Sequence, residues 1–293
     1  LTEEQYAQMD MTRYEALCEA MNTLTAEQEN GTHTDHALCT HGDGCTICPT
    51  EAKSNAFTDA KALTAKDGEL YIGGKKEQLS TTSSCYELSD GSYYLEGDIE
   101  LSCTIRIPKD AKVNLCLNGH SITKNADDKN DGEDGGVITI GGHGTLSLCD
   151  CKGGGTITHG TDADDAKYIG RGVRVGQNNI ATFNMFGGEI TGNHAGSTGY
   201  GQDGGGVYVK GTFNMYGGKI TGNDIERALN GYGGGVCMDG GSFTMYDGEI
   251  SNNKTVGSDF NNPNGGGIYS TGTVAIKGGT ISGNTAAQNG GGV

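Results

Sequence analysis

A dense group of cysteine and histidine residues lies near the start of the chain, in the sequence HTDHALCTHGDGCTICP. Its possible metal ligands are His33, His36, Cys39, His41, Cys45 and Cys48. The Cys45-x-x-Cys48 pair has the spacing that chelates one tetrahedral Zn²⁺, and Cys39 with a histidine, either His41 or His33, would complete the four ligands. Exported cysteines also pair with one another, so disulfide bonds are the alternative. No βαβ pattern surrounds the CxxC, which argues against redox catalysis.

Two acidic stretches further along the chain suit a different metal. The stretch DDKNDGED contains Asp127, Asp128, Asp131, Glu133 and Asp134, and the stretch TDADD contains Asp162, Asp164 and Asp165. Ca²⁺ takes about six to eight oxygen ligands, which such loops can supply. Neither stretch has the spacing of an EF-hand or a similar calcium loop, so a calcium site and a pair of solvated loops both remain open.

An enzymatic interpretation begins from the same stretches. A uronate lyase needs a cation to neutralise the substrate and a Lys or Arg base, and the basic residues just downstream are Lys167, Arg171 and Arg174. The sequence Gly142-His143-Gly144 resembles the GHG motif of polygalacturonases. The NTD that precedes that motif and the RIK that follows it are missing, so catalytic roles cannot be assigned. We therefore rank catalysis behind binding.

Aromatic residues recur at two places in the repeat that organises the chain. Phe186, Tyr216 and Tyr246 take outward positions on successive second strands, where rings can bind sugar faces or peptide side chains. We favour the alternative that a loop covers these rings or that they only stabilise the sheet.

The insertions HAGSTGYGQD, DIERALNGY and KTVGSDFNNPN carry a second set: Tyr200, Tyr232 and Phe260. This mix of rings, Asn, Gly and Asp is typical of a sugar- or peptide-contacting surface, with solvated decoration as the alternative.

The elements that position these residues are repeated coils. Aligned copies begin at Gly170, Gly204, Gly233 and Gly265, and the second of them reads GGGVYVKGTFNMYGGKITGN. Alternation within a copy predicts three short strands, with Val207, Val209, Phe213, Met215 and Ile220 pointing inward and like residues stacked about 4.8 Å apart. Stacked amides are expected after the third strand, at Asn125, Asn193, Asn223, Asn253 and Asn284. Insertions fall between ITGN and GGG, which predicts that they gather along one edge.

Weaker copies of the motif lie upstream. The stretches VNLCLNGHSITKN and LSLCDCKGGGTIT match FNMYGGKITGN, which puts Cys116 and Cys149 in the outward place of Tyr216. The opening motifs SYYLEGDIEL, TIRIP and VNLCLNGHSI resemble the first coils of large β-helical surface proteins from gut Firmicutes, and GTFNMYGGKITGN resembles their later coils. The resemblance covers roughly two thirds of the chain. It implies a pectin-lyase-like topology and an adhesin-type role that faces a host or a glycan.

The composition excludes some classes of function. The chain contains 53 Gly and 3 Pro, and 20 Lys+Arg against 37 Asp+Glu give a net charge of −17. Such a charge repels nucleic acid and anionic lipid. No apolar run approaches the length of a membrane span, so we expect no membrane insertion. The 10 cysteines suit an oxidising compartment, which favours a secreted or cell-surface protein.

These observations divide the chain into four parts. Residues 1–30 are predicted to be a short helical module, residues 31–50 a Cys/His-rich segment, residues 51–91 a linker and N-terminal cap, and residues 92–293 an all-β right-handed parallel β-helix. The chain ends at GGGV in mid-coil, so we expect further coils and domains after it. We expect an extracellular binding, adhesion or display module that contacts a glycan or a host or bacterial surface protein. A calcium-dependent polysaccharide lyase or hydrolase acting on uronic-acid polymers is the alternative.

Overall fold

The computed structural model describes the chain over residues 36–41, 44–54, 56–80, 85–126, 135–161, 170–176, 180–195, 203–226, 231–257 and 264–293. The regular secondary structure of these residues is almost entirely β-strand, and their one helix is a single 3-10 turn at Thr50–Lys53. The predicted helical module, residues 1–30, lies outside the described residues.

The strands follow one another in short steps. The first four are β1 Lys61–Lys66, β2 Glu69–Ile72, β3 Lys75–Lys76 and β4 Tyr86–Glu87. The next eleven are β5 Gly91–Leu95, β6 Ile99–Leu101, β7 Ile105–Ile107, β8 Lys112–Cys116, β9 Ile122–Lys124, β10 Ile138–Ile140, β11 Thr145–Cys149, β12 Thr156–His159, β13 Val173–Val175, β14 Thr182–Met185 and β15 Glu189–Thr191. The last twelve are β16 His194–Ala195, β17 Val207–Val209, β18 Thr212–Met215, β19 Lys219–Thr221, β20 Asp224–Glu226, β21 Val236–Met238, β22 Ser242–Met245, β23 Glu249–Ser251, β24 Lys254–Val256, β25 Ile268–Ser270, β26 Thr273–Ile276 and β27 Thr280–Ser282.

Three long sheets run the length of the molecule. The first sheet has the strand order β25-β21-β17-β13-β10-β7-β4, the second β26-β22-β18-β14-β11-β8-β5-β1-β2-β3, and the third β27-β23-β19-β15-β12-β9-β6. Neighbouring coils pair in parallel, and each coil passes through the first, second and third sheets in turn. The protein is therefore a parallel β-solenoid of the right-handed type, as the repeat predicts.

The core is a column of apolar side chains that stack like on like. The ring centroids of Phe183, Phe213 and Phe243 are 4.9 and 4.7 Å apart on β14, β18 and β22, and all three rings are fully buried. The other predicted inward residues of the same coil are also fully buried: Val207, Val209, Met215 and Ile220. The predicted alternation of inward and outward side chains is confirmed for this coil.

Glycines at the start of each coil allow neighbouring coils to lie close together. A Cβ on Gly206 would be 2.6 Å from the carbonyl oxygen of Gly235, and a Cβ on Gly235 would be 2.6 Å from that of Gly267. No side chain fits at such distances, because a Cβ would overlap the carbonyl oxygen of the next coil. The GGG sequence is therefore a packing requirement between coils.

A ladder of buried asparagines follows the third strand. The Nδ2 groups of Asn193, Asn223 and Asn253 each donate to the Oδ1 atom of the asparagine one coil further on, and the ladder ends at Asn284. The three distances are 2.9, 3.0 and 3.0 Å. Because each amide both donates and accepts along the stack, buried polar groups are satisfied and adjacent coils are held in register.

The prediction that Asn125 belongs to this ladder is wrong. Gly160 holds the equivalent position in the next coil and has no side-chain amide. The Oδ1 atom of Asn193 instead accepts the backbone N–H of His159 at 3.1 Å. Asn125 donates to Glu100 at 3.3 Å. The asparagine ladder therefore begins at Asn193.

A small antiparallel unit extends one end of the second sheet. Strand β1 pairs in parallel with β5, with Leu63 opposite Leu95, and in antiparallel with β2, which in turn pairs with β3. Leu63 and Leu70 are fully buried against the core. These strands lie within residues 51–91, and β1 covers the edge of β5 that would otherwise be exposed to solvent.

Candidate functional site

A segment that contains most of the cysteine and histidine candidates lies across the outer face of the second sheet. We call it the Cys/His segment and define it as residues 36–41, 44–54 and 56–57. Its apolar side chains are buried against that sheet: Leu38, Ala52 and Phe57. Within the segment, the N–H of Cys39 donates to the carbonyl of Ala52 at 2.8 Å. The hydroxyl of Thr40 donates to the carbonyl of Phe186, on the solenoid, at 3.4 Å. The segment is therefore packed on the solenoid and does not stand apart from it.

The surface beneath the segment is a row of outward side chains, which we call the outer row: Tyr94, Cys116, Cys149, Phe186, Tyr216 and Tyr246. Cys149 lies opposite Cys116 on adjacent strands, so the predicted outward place of these two cysteines is confirmed. The rings of Phe186, Tyr216 and Tyr246 stack with centroids 4.8 and 4.7 Å apart. Phe186 is 2% exposed and Tyr216 is 8% exposed. These two rings are covered and offer no open face to a sugar.

Four candidate ligands of the segment converge on one point, and their ligand atoms all lie within 4.8 Å of one another: Cys39, His41, Cys45 and Cys48. The Nδ1 atom of His41 is 3.4 Å from the sulfur of Cys48 and 3.9 Å from that of Cys39. A tetrahedral Zn²⁺ with bonds of about 2.0 to 2.3 Å keeps its ligand atoms roughly 3.3 to 3.8 Å apart. This cluster, which we call the first cluster, could hold a metal ion. His33, the alternative histidine, lies outside the described residues.

The groups around the first cluster are arranged as in metal sites. The N–H of Cys48 donates to the sulfur of Cys45 at 3.3 Å, a contact that stabilises a thiolate. The Nε2 atom of His41 is 3.7 Å from a carboxylate oxygen of Asp247, which follows β22. A metal-bound histidine commonly directs its second ring nitrogen at a carboxylate. His41 thus turns Nδ1 to the sulfurs and Nε2 to an acidic residue of the solenoid.

Crowding separates the pKa values of the thiols in the first cluster. Desolvation acts to raise the pKa of Cys45, but hydrogen bonds from the N–H groups of Cys48 and Ile47 and from the thiols of Cys48 and Cys39 lower it to about 7. Burial raises the pKa of Cys48 far above its ordinary value, and the neighbouring sulfurs of Cys39 and Cys45 raise it further. Deprotonation of Cys48 beside the other two sulfurs therefore requires a compensating positive charge, which a divalent cation would supply.

The edge where the insertions leave the coils is a second candidate site, and we call it the loop edge. Directly after the third strand, three coils add a short strand, and β16, β20 and β24 form a parallel three-stranded sheet that the sequence did not predict. The insertions also return at neighbouring positions. The N–H of Gly204 donates to the carbonyl of Tyr232 at 2.9 Å, and that of Gly233 donates to Asn264 at 3.0 Å. The anchors of successive insertions therefore lie side by side, as the repeat predicts.

One of the three predicted loop aromatics, Tyr232, belongs to the described residues. Its ring stacks on that of Tyr269, which lies on β25, with centroids 4.2 Å apart, and both rings are half-buried. The N–H of Tyr232 donates to the carboxylate of Asp203 at 2.9 Å. This bond holds the chain at the point where the insertion ends and the next coil begins. Tyr200 and Phe260 lie outside the described residues. The sequence pattern does not single out Tyr269 as a binding residue, because the alternation marks it only as an outward side chain.

The outer face of the first sheet also holds charged groups around a buried tyrosine. The hydroxyl of Tyr208 donates to Asp239 at 2.8 Å, and the ammonium of Lys210 is 3.1 Å from the same carboxylate. The hydrogen bond from Tyr208 lowers the pKa of Asp239, and burial raises the pKa of Tyr208 far above its ordinary value. Arg171 and Arg174, considered above as catalytic bases, are buried with their guanidinium carbons 4.8 and 5.8 Å from the centre of the Tyr208 ring. This arrangement resembles cation–π packing between coils.

The remaining candidate residues divide into two groups. His143 lies in a tight turn between β10 and β11 with φ 59°, and a Cβ on Gly144 would be 2.9 Å from the carbonyl oxygen of Gly141, so the turn itself requires a glycine after His143. Lys167 and the acidic residues considered as calcium ligands lie outside the described residues: Asp127, Asp128, Asp131, Asp162, Asp164 and Asp165.

In the part of the chain that the structure describes, no helix has the length and apolar character of a membrane span. The chain matches no protein-family model, no curated protein and no solved structure.

Proposed function

We propose that this chain is a repeat-built binding or display module that acts outside the cell and contacts a glycan or a host or bacterial surface protein through the loop edge. The observation that carries the proposal is the anchoring of successive insertions side by side, through β16, β20 and β24. Binding sites are commonly mounted as variable loops on a rigid support. The resemblance of the repeat motifs to pectin-lyase-like, adhesin-type surface proteins of gut Firmicutes agrees with this role.

The contact surface that we propose is centred on the stacked rings of Tyr232 and Tyr269. Stacked rings offer apolar faces to a sugar or a peptide, while their hydroxyl groups stay hydrated. The carboxylate of Asp203, which holds the backbone of Tyr232, adds a hydrogen-bonding group beside them. Tyr200 and Phe260, from the neighbouring insertions, would extend this surface along the edge.

We assign Zn²⁺ to the first cluster: Cys39, His41, Cys45 and Cys48. Three thiols and an imidazole are ligands that zinc prefers, and calcium takes oxygen. Four protein ligands fill a tetrahedral shell and leave no position for a substrate, so the role is structural. The ion would fix the Cys/His segment in the position where His41 faces Asp247.

The test is binding of the purified full chain, presented multivalently on beads, to a glycan array and to immobilised host mucin. The variant replaces Tyr200, Tyr232, Phe260 and Tyr269 by Ser. We expect it to lose at least about tenfold in binding, because aromatic anchors dominate such contacts. Tyr71→Ser is the matched control. Tyr71 is also a half-buried ring, but it lies on β2, near the end of the second sheet that is formed by the N-terminal strands and is away from the loop edge.

Circular dichroism must first show that all variants keep the β-solenoid, and three outcomes can then be distinguished. Loss of binding in the loop variant together with retention in Tyr71→Ser supports the loop edge. Equal binding by the wild type and the loop variant would place the contact elsewhere. A wild type that binds neither the glycans nor the mucin would overturn the glycan-binding role.

A further inference from the structure

A second group of metal-ligating side chains, which we call the second cluster, lies under the Cys/His segment. The ligand atoms of His36, Cys116 and Cys149 are all within 4.8 Å of one another. Cys116 and Cys149 lie opposite each other on β8 and β11, and both are fully buried. His36 comes from the Cys/His segment, so this cluster joins two coils to a part of the chain far away in sequence.

The orientation of His36 suits a metal ligand. Its ring stacks on the buried ring of Phe57 with centroids 4.1 Å apart. Its Nδ1 atom is 3.0 Å from the carbonyl oxygen of Ala37. A carbonyl oxygen can only accept, so Nδ1 carries the proton and Nε2 keeps its lone pair. Histidine ligands are commonly held in this way, with one nitrogen donating to a carbonyl and the other facing the metal.

A third cysteine, Cys151, contacts one member of this cluster and is the candidate for a fourth ligand. Cys151 follows Cys149 by two residues, and its thiol and backbone N–H both hydrogen-bond the sulfur of Cys116. It is exposed, and its sulfur is 3.7 Å from the side-chain oxygen of Asn118. Cys116 and Cys149 thus supply two sulfurs within 4.8 Å of the His36 ring nitrogen, and Cys151 offers a third sulfur beside Cys116.

The side chains of the outer row change from aromatic rings to thiols at the coils that His36 contacts. Phe186, Tyr216 and Tyr246 fill the row with stacked rings, whereas Cys116 and Cys149 fill it with thiols. A ring at either cysteine position would bury more apolar surface, because a thiol is much the smaller group. Two small sulfur side chains beside an oriented imidazole place three metal-ligating atoms within 4.8 Å of one another.

We propose that His36, Cys116, Cys149 and Cys151 form a second zinc site that fixes the Cys/His segment to the solenoid. Thiolate and imidazole ligands select Zn²⁺ over Ca²⁺ or Mg²⁺, and four protein ligands make the site structural. The site does not depend on the first cluster or on the loop edge, because it shares no ligand with either.

The experiment measures zinc by elemental analysis in the full chain, purified without added metal. We expect about two zinc ions per chain in the wild type. His36→Ala and Cys149→Ser should each retain about one, Cys45→Ser should also retain about one, and the double variant Cys45→Ser with Cys149→Ser should retain almost none. Cys237→Ser is the matched control, because Cys237 is a buried outward cysteine of the first sheet, and it should keep both ions.

Charge-transfer absorption of the cobalt-loaded protein gives a second readout, since it reports thiolate ligands directly. It should fall by about half in both Cys149→Ser and His36→Ala, because each variant loses the ion that the thiolates of the second cluster bind. A wild type whose zinc is lost entirely in Cys45→Ser and is unchanged in both His36→Ala and Cys149→Ser would overturn the second site. A disulfide between Cys116 and Cys149, found by mass mapping of the denatured, chelator-treated chain, would overturn it as well. Because His36 lies outside the solenoid coils, His36→Ala remains decisive even if Cys149→Ser fails to fold.

Discussion

The side-chain amide of Asn193 donates to the side-chain oxygen of Asn223 over 2.9 Å, and both residues are fully buried. The backbone N–H of Asn193 donates to the same oxygen at 3.1 Å. One oxygen on Asn223 therefore satisfies two donors of the neighbouring coil. A buried donor without an acceptor costs free energy, so these two bonds to a single atom do much to hold the two coils in register.

Removal of that amide should destabilise the solenoid. We expect Asn223→Ala to lower the free energy of unfolding by about 2 to 4 kcal/mol, because the donors of Asn193 lose an acceptor away from water. Asn214→Ala is the matched control. Asn214 lies in the same coil and donates to Asn184 at 3.0 Å, but it is only half-buried, so water can replace the lost bond. Thermal unfolding of the two variants is the measurement, and equal losses would contradict the special role of the buried ladder.

Phe213 and Tyr216 should respond differently to polar replacement. Phe213→Asp puts an unpaired charge into the phenylalanine stack and should prevent folding of the solenoid. Tyr216→Ser removes a ring of the outer row, on which the Cys/His segment packs. It should leave the solenoid folded but make the segment more sensitive to protease. Circular dichroism with limited proteolysis separates the two effects. The prediction is wrong if Tyr216→Ser also loses the circular-dichroism signal of β-structure.

Addition of one methyl group between coils should be enough to disturb them. Gly206→Ala brings a Cβ within 2.6 Å of a carbonyl oxygen of the next coil, and we expect it to cost about 2 kcal/mol or more. At Gly97 nothing lies within 4 Å of the added Cβ and φ is not positive, so Gly97→Ala should be neutral or slightly stabilising. Chemical denaturation of both variants checks this. Equal stability would mean that the coils can move apart without cost.

The carboxylate of Asp239 should make stability depend on pH in the acid range. Its pKa is lowered, first by the hydrogen bond from Tyr208 and then by Lys210. A carboxyl group whose folded pKa lies below its unfolded value, about 3.9, adds stability that is fully present above that value and is lost as the pH falls through the folded pKa.

The measurement for Asp239 compares melting temperatures across pH. Asp239→Asn should melt below the wild type at neutral pH, and the difference should shrink toward about pH 2 as the wild-type carboxyl is protonated. Asp59→Asn, at an exposed position, is the control and should show no such trend. A gap between wild type and Asp239→Asn that stays constant down to low pH would contradict the prediction.

The core and the register could be predicted because each coil repeats the same local rule. Val207, Phe213 and Ile220 alternate with polar residues, and their equivalents recur in every aligned copy. The additional strands β16, β20 and β24 could not be predicted, because they lie where the copies differ in length and sequence. Asn125 was misplaced because its motif fits the repeat, while the position above it is a glycine.

The candidate site was only partly predictable, because its parts are far apart in sequence. Spacing identified Cys39, Cys45 and Cys48 but left two histidines open, and it is the fold of the segment that brings the His41 ring beside the three sulfurs. The cover over Tyr216 was an open alternative, since a segment without a repeating pattern gives no signal of where it packs.

The Cys/His segment makes contacts that a simple solenoid lacks. In a stack of coils each coil touches only its neighbours, so opening can begin at an end and advance one coil at a time. The segment touches Tyr94 on β5, and its His41 reaches Asp247 after β22, so it spans six strands of the second sheet. No coil beneath it can open without also releasing the segment. Those coils should therefore melt as a single cooperative block, whereas the segment places no such restraint on β25, β26 and β27, which lie beyond its reach.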